Sequence, residues 1–157
     1  MNTTSCSRRQ ASWLLATAAL FCAAPSLAAS EQQLAIAMTE RAAAALKSQG
    51  KAKLVERVNA KDPEFAAGEI YAMVLQASDG VMLAHPINPK LVGKAMLDVP
   101  DPDGKLFRKE RLELGNSKGK GWVDYKYKNP VSNKIEAKTA YVLKVDDVII
   151  SVGVYKD

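Results

Sequence analysis

Hydrophobic positions in this chain change spacing at about residue 63. Before it, Ser30 to Gln49 has apolar residues at helical intervals, an alanine run of high helix propensity and Gly50 as a stop. Ser30 is the expected N-cap. Lys51 to Ala60 predicts a second helix, which Asp62-Pro63 would end. The expected apolar face of the first helix comprises Leu34, Ile36, Met38, Ala42, Ala45 and Leu46.

Beyond residue 63 the pattern alternates as in strands. Glu69 to Ala77 places apolar residues on both faces, which predicts a strand covered on both sides of a sheet. Val81 to Ala84 returns after the turn at residues 78–80. The remaining predicted strands are Trp122 to Lys128, Glu136 to Val145 and Val148 to Tyr155.

A long insert, residues 85–121, separates the second predicted strand from the third. Within it, Lys105 to Leu114 predicts a helix that buries Leu106, Phe107 and Leu112. A connection of this length inside a compact domain is more often functional than idle. The order of elements predicts an α+β fold with a five-stranded antiparallel sheet, the N-terminal helices covering one face and the insert the other.

The first 28 residues have the pattern of a secretory signal peptide. Arg8 and Arg9 precede an apolar run from Trp13 to Ala24, and Pro25 precedes the small-x-small sequence Ser26-Leu27-Ala28. The apolar run is too short for a membrane anchor, which needs about 20 residues. We expect cleavage near Ala28, with Ala29 as the neighbouring alternative, and a periplasmic or secreted mature protein of one domain, residues 29–157.

Composition narrows the function classes. Both cysteines, Cys6 and Cys22, would leave with the signal peptide, so no disulfide or thiolate site is expected. The formal charge of +5 falls to about +3 without Arg8 and Arg9, and most basic residues alternate with acidic ones. Nucleic-acid binding needs a stronger basic stripe. A weak preference for anions is the most that this charge supports.

Motifs for catalysis, metal or cofactor are missing from the sequence. His85 is the only histidine, which leaves no usual zinc ligand set. There is no G-x-S-x-G nucleophile turn, no glycine-rich phosphate loop and no haem-attachment motif. We therefore expect a protein that is not an enzyme and needs no cofactor or metal.

Tyrosines, one lysine and the histidine are the candidate ligand-binding residues. Tyr125 and Tyr127 share a strand face, and such residues combine apolar contact with a hydroxyl that needs a partner when buried. Lys138 near a strand start and His85 at a strand end can give donors to a small anion. Each has a plainer interpretation: the tyrosines can pack the core, His85 can hold a turn, and Lys138 can be a solvated lysine.

Several sequence pieces resemble the single Cache domain of the second type. They are residues 71–80, Leu83-Ala84-His85-Pro86, residues 88–94, Asp103-Gly104-Lys105 with Phe107, the aromatic strand 121–130, Lys138-Thr139-Ala140-Tyr141-Val142 and Gly153-Val154-Tyr155. The resemblance covers residues 31–156. It implies a long N-terminal helix packed on a PAS-like five-stranded antiparallel sheet. By position it also implies ligand contacts from His85, Tyr125, Tyr127, Lys138 and Tyr141, and more weakly Tyr71.

The resemblance further implies a role in signal transduction and chemotaxis. Such domains are extracellular sensors of small molecules, often short-chain carboxylates, and usually lie between two membrane helices. No second membrane segment precedes the end of this sequence at Tyr155-Lys156-Asp157, so we expect a free-standing periplasmic form that binds a small organic acid. The alternative is an interaction module that docks onto a membrane receptor or sensor kinase without its own ligand. The N-terminal helix can also be the face of a homodimer.

Overall fold

The computed structural model describes Met1 and residues 27–156, with side chains from Glu31 onward. Residues 2–26, which carry most of the predicted signal peptide, lie outside the described residues, and cleavage near Ala28 stays a prediction. The helices are α1 (Leu27–Gln49), α2 (Lys51–Asn59) and α3 (Phe107–Lys118), with a 3₁₀ turn at Pro89–Leu91. The strands are β1 (Ala66–Ala67), β2 (Ile70–Gln76), β3 (Met82–Ala84), β4 (Lys120–Lys128), β5 (Ile135–Val145) and β6 (Val148–Tyr155).

The described strands form one antiparallel sheet in the order β1-β2-β6-β5-β4, with β3 also paired to β2. The five predicted strands are confirmed, and β1 is a sixth that was not predicted. It is two alanines long, and Gly68 with φ 63° lets the chain turn back so that Ala66 pairs with Tyr71. Two residues are too few for an alternating pattern to be visible in the sequence.

The N-terminal helices cover one face of the sheet, here called the helix face. Met38, Ala42 and Leu46 of α1 and Leu54 and Val58 of α2 are buried there against alternate residues of the central strands. Two details of the prediction were wrong. α1 begins at Leu27, so Ser30 lies within it rather than capping it, and Leu34 is 41% exposed because it projects away from the sheet.

The opposite face of the sheet, here called the pocket face, is covered by the insert. Tyr71, Met73 and Leu75 of β2 pack there with Phe107 of α3 and Val123 of β4. The insert helix is confirmed, but it runs four residues further than predicted and buries Phe107 rather than Leu106 or Leu112, which are half-buried. A sheet covered on both faces explains the two apolar faces of β2.

Asp101 ties the loop before α3 to the sheet. One of its carboxylate oxygens accepts hydrogen bonds from the backbone N–H groups of Asp103 and Lys105 at 3.0 and 2.9 Å, and the other accepts from Lys126 N–H on β4 at 2.9 Å. Burial by itself would raise the pKa of this carboxyl, but the three donors lower it below its ordinary value. The loop and α3 are thereby fixed over the pocket face.

Candidate ligand-binding site

A small cavity lies between α3 and the pocket face of the sheet. Its volume, measured for the centre of a water-sized sphere, is about 10 Å³, which is room for about one water molecule. Three groups of side chains line it: the basic residues Arg108 and Arg111; the aromatic residues Tyr71, His85, Phe107, Tyr125 and Tyr127; and the apolar residues Met73, Met82 and Leu91.

Lys138 lies beside this cavity with its charge buried. Only 1% of the residue is exposed, and Nζ has no hydrogen-bond partner among the described residues. The side chain passes over Gly153, where a Cβ atom would be 2.6 Å from Cε of Lys138. Nζ then lies 4.3 Å from the ring centre of Tyr71 and 4.0 Å from that of Tyr155. Two aromatic rings offer an ammonium group favourable electrostatics but no hydrogen-bond acceptor.

Burial, together with the nearby positive charge of Arg111, lowers the pKa of Lys138 to about 7, against a smaller opposing effect of Glu69. Without a ligand, the amine is therefore close to half protonated at neutral pH. The interpretation of Lys138 as a solvated lysine was wrong, because the residue is on the pocket face of β5 with Ala140 and Val142.

Two arginines of α3, Arg108 and Arg111, line the same cavity. Arg111 is 1% exposed, its Nε and Nη2 have no hydrogen-bond partner in the described part of the chain, and its guanidinium carbon is 5.2 Å from the ring centre of Tyr125. Arg108 is 8% exposed, donates from Nη1 to the Val99 carbonyl at 3.2 Å and lies 4.3 Å over the ring of Phe107. Burial lowers the pKa of Arg108. Neither arginine forms an ion pair with a described acidic residue.

His85 is buried and neutral. Its Nδ1 accepts a hydrogen bond from the backbone N–H of Asn88 at 3.0 Å, and its own backbone N–H donates to Asn59 Oδ1 of α2 at 3.0 Å. Burial, together with the charges of Arg111, Lys138 and Arg108, lowers the pKa of His85 to about 4. The hydrogen bond at Nδ1 assigns the ring proton to Nε2. His85 therefore holds the turn after β3 and also presents an N–H donor.

The aromatic side chains order the polar part of the site. Phe107 stacks on Tyr125 with ring centres 4.3 Å apart, and Tyr127 meets both rings edge-on. Burial raises the pKa values of Tyr71 and Tyr125 above the ordinary value, so both hydroxyls stay protonated at neutral pH. The hydroxyl of Tyr71 interacts with that of Tyr155, and the hydroxyl of Tyr125 interacts with Arg111.

A wider groove of about 350 Å³ opens to solvent next to the cavity. Tyr71, His85 and Tyr127 line both spaces, and the groove continues along Asn88 and Lys128. The three shared side chains therefore lie between the groove and the cavity.

The structure brings together five of the six predicted ligand-binding residues. Tyr71, His85, Tyr125 and Tyr127 line the cavity, and Lys138 lies beside it. Tyr141 lies apart, because it projects from the helix face of β5 and packs against Trp122 with ring centres 5.2 Å apart.

Arg108, Arg111, Phe107 and Tyr155 were not among the predicted residues, although α3 carried a usable pattern. Counted from Phe107 at helical spacing, the buried face comprises Arg108, Arg111 and Gly115. Two arginines on a buried face suggest an anion site. Among the described residues, no three acidic or histidine side chains are grouped to hold a metal ion.

The family model described as single Cache domain 2 matches residues 30–157. This chain belongs to the single Cache domain 2 family. The methyl-accepting chemotaxis protein McpP of Pseudomonas putida is 36% identical to this Cache domain over 78 residues. That match covers 48% of this chain but only 14% of the relative, so the chain corresponds to a small part of that receptor.

Solved structures of sensor domains have the same fold. A periplasmic sensor domain of a chemotaxis protein is 24% identical with a TM-score of 0.67, over 85% of this chain and 100% of that one. A Cache chemosensory domain solved to explain carboxylic acid recognition is 25% identical with a TM-score of 0.68, over 83% and 97%. A methyl-accepting chemotaxis protein of Vibrio parahaemolyticus is 20% identical with a TM-score of 0.69, over 83% and 92%.

These likenesses confirm the Cache fold expected from the sequence, which this chain shares with a periplasmic sensor domain of a chemotaxis protein. Among its described helices, none combines the length and the apolar character that crossing a membrane requires.

Proposed function

We propose that this Cache domain binds a small organic anion through a carboxylate group in the cavity between the sheet and α3, and acts as a periplasmic sensor in signal transduction. The observation that carries the proposal is the pair of cations Arg111 and Lys138. Both are 1% exposed, both have nitrogens with no hydrogen-bond partner among the described residues, and no acidic residue of that part of the chain pairs with them.

The energetics favour an anionic ligand. A buried charge without a partner costs several kcal/mol, and an ion of opposite charge with good hydrogen bonds recovers much of that cost. A carboxylate suits the arrangement, because a guanidinium group can hold both of its oxygens and an ammonium group can bind one of them. The hydroxyls of Tyr71 and Tyr125 and the Nε2 proton of His85 are further donors at the site.

The ligand must be small. The cavity of about 10 Å³ holds about one water molecule, so binding requires the lining side chains to move even for the shortest acids. Acetate, propionate, lactate and pyruvate are the candidates of suitable size. The Cache domain solved to explain carboxylic acid recognition supports the same ligand class.

A membrane receptor or sensor kinase is the partner that we propose for the bound form, since the relatives are chemotaxis proteins. We also propose that the domain is not an enzyme. Docking without a ligand has less support, because Leu34 is the only large exposed apolar side chain on the described part of α1. Docking without a ligand would also leave the buried charges of Arg111 and Lys138 uncompensated.

The test is isothermal titration of the exported protein with short carboxylates, amino acids and amines. We expect binding of carboxylates only. Arg111→Gln and Lys138→Met should each weaken it by about 2 kcal/mol or more, about thirtyfold in Kd. Lys109→Gln, on the exposed face of α3, and Lys120→Met, exposed on β4, are the matched controls and should bind as the wild type does. Failure of every carboxylate to bind, or wild-type affinity in Arg111→Gln, would refute the proposal.

A further inference from the structure

A second small cavity lies beside the first on the pocket face. It too has a volume of about 10 Å³ for the centre of a water-sized sphere. Its apolar lining comes from Leu75, Met82, Leu91 and Met96. None of the tyrosines and neither His85 nor Lys138 contributes to it; its polar lining comes from Arg108 and from Lys94, which is exposed.

Three side chains line both cavities and so form the partition between them: Met82, Leu91 and Arg108. Arg108 is held by its hydrogen bond to the Val99 carbonyl and its contact with the Phe107 ring. Met82 is 4% exposed, and its backbone is bonded to Lys94 and Gly93 at 3.0 and 2.8 Å, which fixes where its side chain starts. The removable part of the partition is therefore the flexible side chain of Met82, with Leu91 beside it.

The two cavities follow the direction of β2. Tyr71 lies at the polar end next to Lys138, Met73 lines the first cavity, and Leu75 lines the second. Four residues along a strand span about 13 Å. A carboxylate held by Arg111 and Lys138 would therefore direct its alkyl chain toward Met82 and, past it, toward Leu75 and Met96.

We propose that Met82 determines ligand specificity by limiting the alkyl chain length of the bound carboxylate. The inference rests on the proposed carboxylate site. In the wild type, the thioether of Met82 closes the apolar end, so acids longer than the cavity can accept meet a wall. Each methylene group that gains a buried place strengthens binding about fourfold. Shortening Met82 therefore joins the two cavities, so that longer acids can bury more methylene groups and bind more strongly.

The test titrates the exported protein with straight-chain acids from acetate to hexanoate. Wild-type affinity should peak at a short acid and fall with length. Met82→Ala should move the peak to a longer acid, with a gain of about sixteenfold relative to acetate if two further methylene groups are buried. Leu91→Ala, half-buried on the 3₁₀ turn, tests the same partition from its other side and disturbs the fold less than a change in β3 does.

Met73→Ala is the matched control, because Met73 has the same side chain and the same 4% exposure but lines only the first cavity. It should move the peak less than Met82→Ala does. An unchanged peak in both partition variants, or an equal shift in Met73→Ala, would overturn the role of Met82 while leaving carboxylate binding intact. No carboxylate binding by the wild type would overturn the proposed function as well.

Discussion

The buried amine of Lys138 predicts that carboxylate affinity depends on pH. In the ligand-free domain its pKa is about 7, against an ordinary value of 10.5. A bound carboxylate stabilises the ammonium form and returns the pKa toward the ordinary value. At a pH between the pKa of the free domain and that of the complex, each binding event then takes up a proton. The dissociation constant therefore rises about tenfold per pH unit above pH 7. From pH 7 to pH 9 the expected loss of affinity is about fiftyfold.

The histidine and the tyrosines that surround Lys138 in the described part of the chain have pKa values outside that range. His85, which follows β3, has a pKa of about 4, and Tyr71 of β2, Tyr125 of β4 and Tyr155 of β6 all have pKa values raised above the ordinary value. Arg111 of α3 is the nearby cation whose charge lowers the pKa of Lys138. Glu69, which precedes β2, opposes that effect on Lys138. The carboxylate of a short organic acid is ionised above about pH 6.

The assay is isothermal titration of wild-type protein with propionate at several pH values between about 6 and 9, in pairs of buffers with different ionisation enthalpies. The difference within a pair reports proton uptake, which should approach one per ligand near pH 9 and vanish near pH 6. Lys138→Met is the control, and any residual binding should not vary with pH. A constant dissociation constant across this range in the wild type would refute the reasoning.

Three further variants test the structure around the site. Lys138→Met should raise the melting temperature of the ligand-free protein at about pH 6 by roughly 6 °C. The lowered pKa of Lys138 means that the buried ammonium form destabilises the fold, by about 2 kcal/mol. This destabilisation is fully present below pH 7 and is relieved as the pH rises toward 10.5. An equal or lower melting temperature would contradict this cost. Gly153→Ala should weaken carboxylate binding by about tenfold or more, since the new Cβ would displace the flexible end of Lys138. The free energy of unfolding, measured by urea denaturation, should change by less than about 2 kcal/mol. Unchanged carboxylate binding would place Lys138 outside the site. Asp101→Asn should lower the free energy of unfolding, measured by urea denaturation at neutral pH, by about 2 kcal/mol. Because the pKa of Asp101 is lowered, the difference from the wild type should disappear as the pH falls through that lowered pKa.

The strands could be predicted because the alternation of apolar and polar side chains is visible in consecutive residues. Val123, Tyr125 and Tyr127 alternate with polar residues, and the structure places all three on the pocket face. The same rule applied to Lys138, Ala140 and Val142 would have placed the lysine on that face as well. A lysine at a strand position is usually solvated, and that tendency outweighed the alternation.

The cationic composition of the site was harder to predict. Arg108 and Arg111 have the charge of a solvated helix face, and only their spacing from Phe107 shows that they point inward. The turn after β3 depends on Asn59, which is 26 positions before His85 in the chain. Side chains that meet only after folding leave no local pattern in a sequence.

Strand β6 carries the two faces of the molecule on alternate residues. Ile150, Val152 and Val154 pack under the N-terminal helices, whereas Gly153 lies beneath Lys138 and Tyr155 stacks on it. Because side chains alternate along a strand, a slip of one residue would move every side chain of β6 to the wrong face. Such a misregistered molecule would lose the helix core and the site together. Correct folding of this domain and formation of the proposed binding site therefore depend on the same strand register.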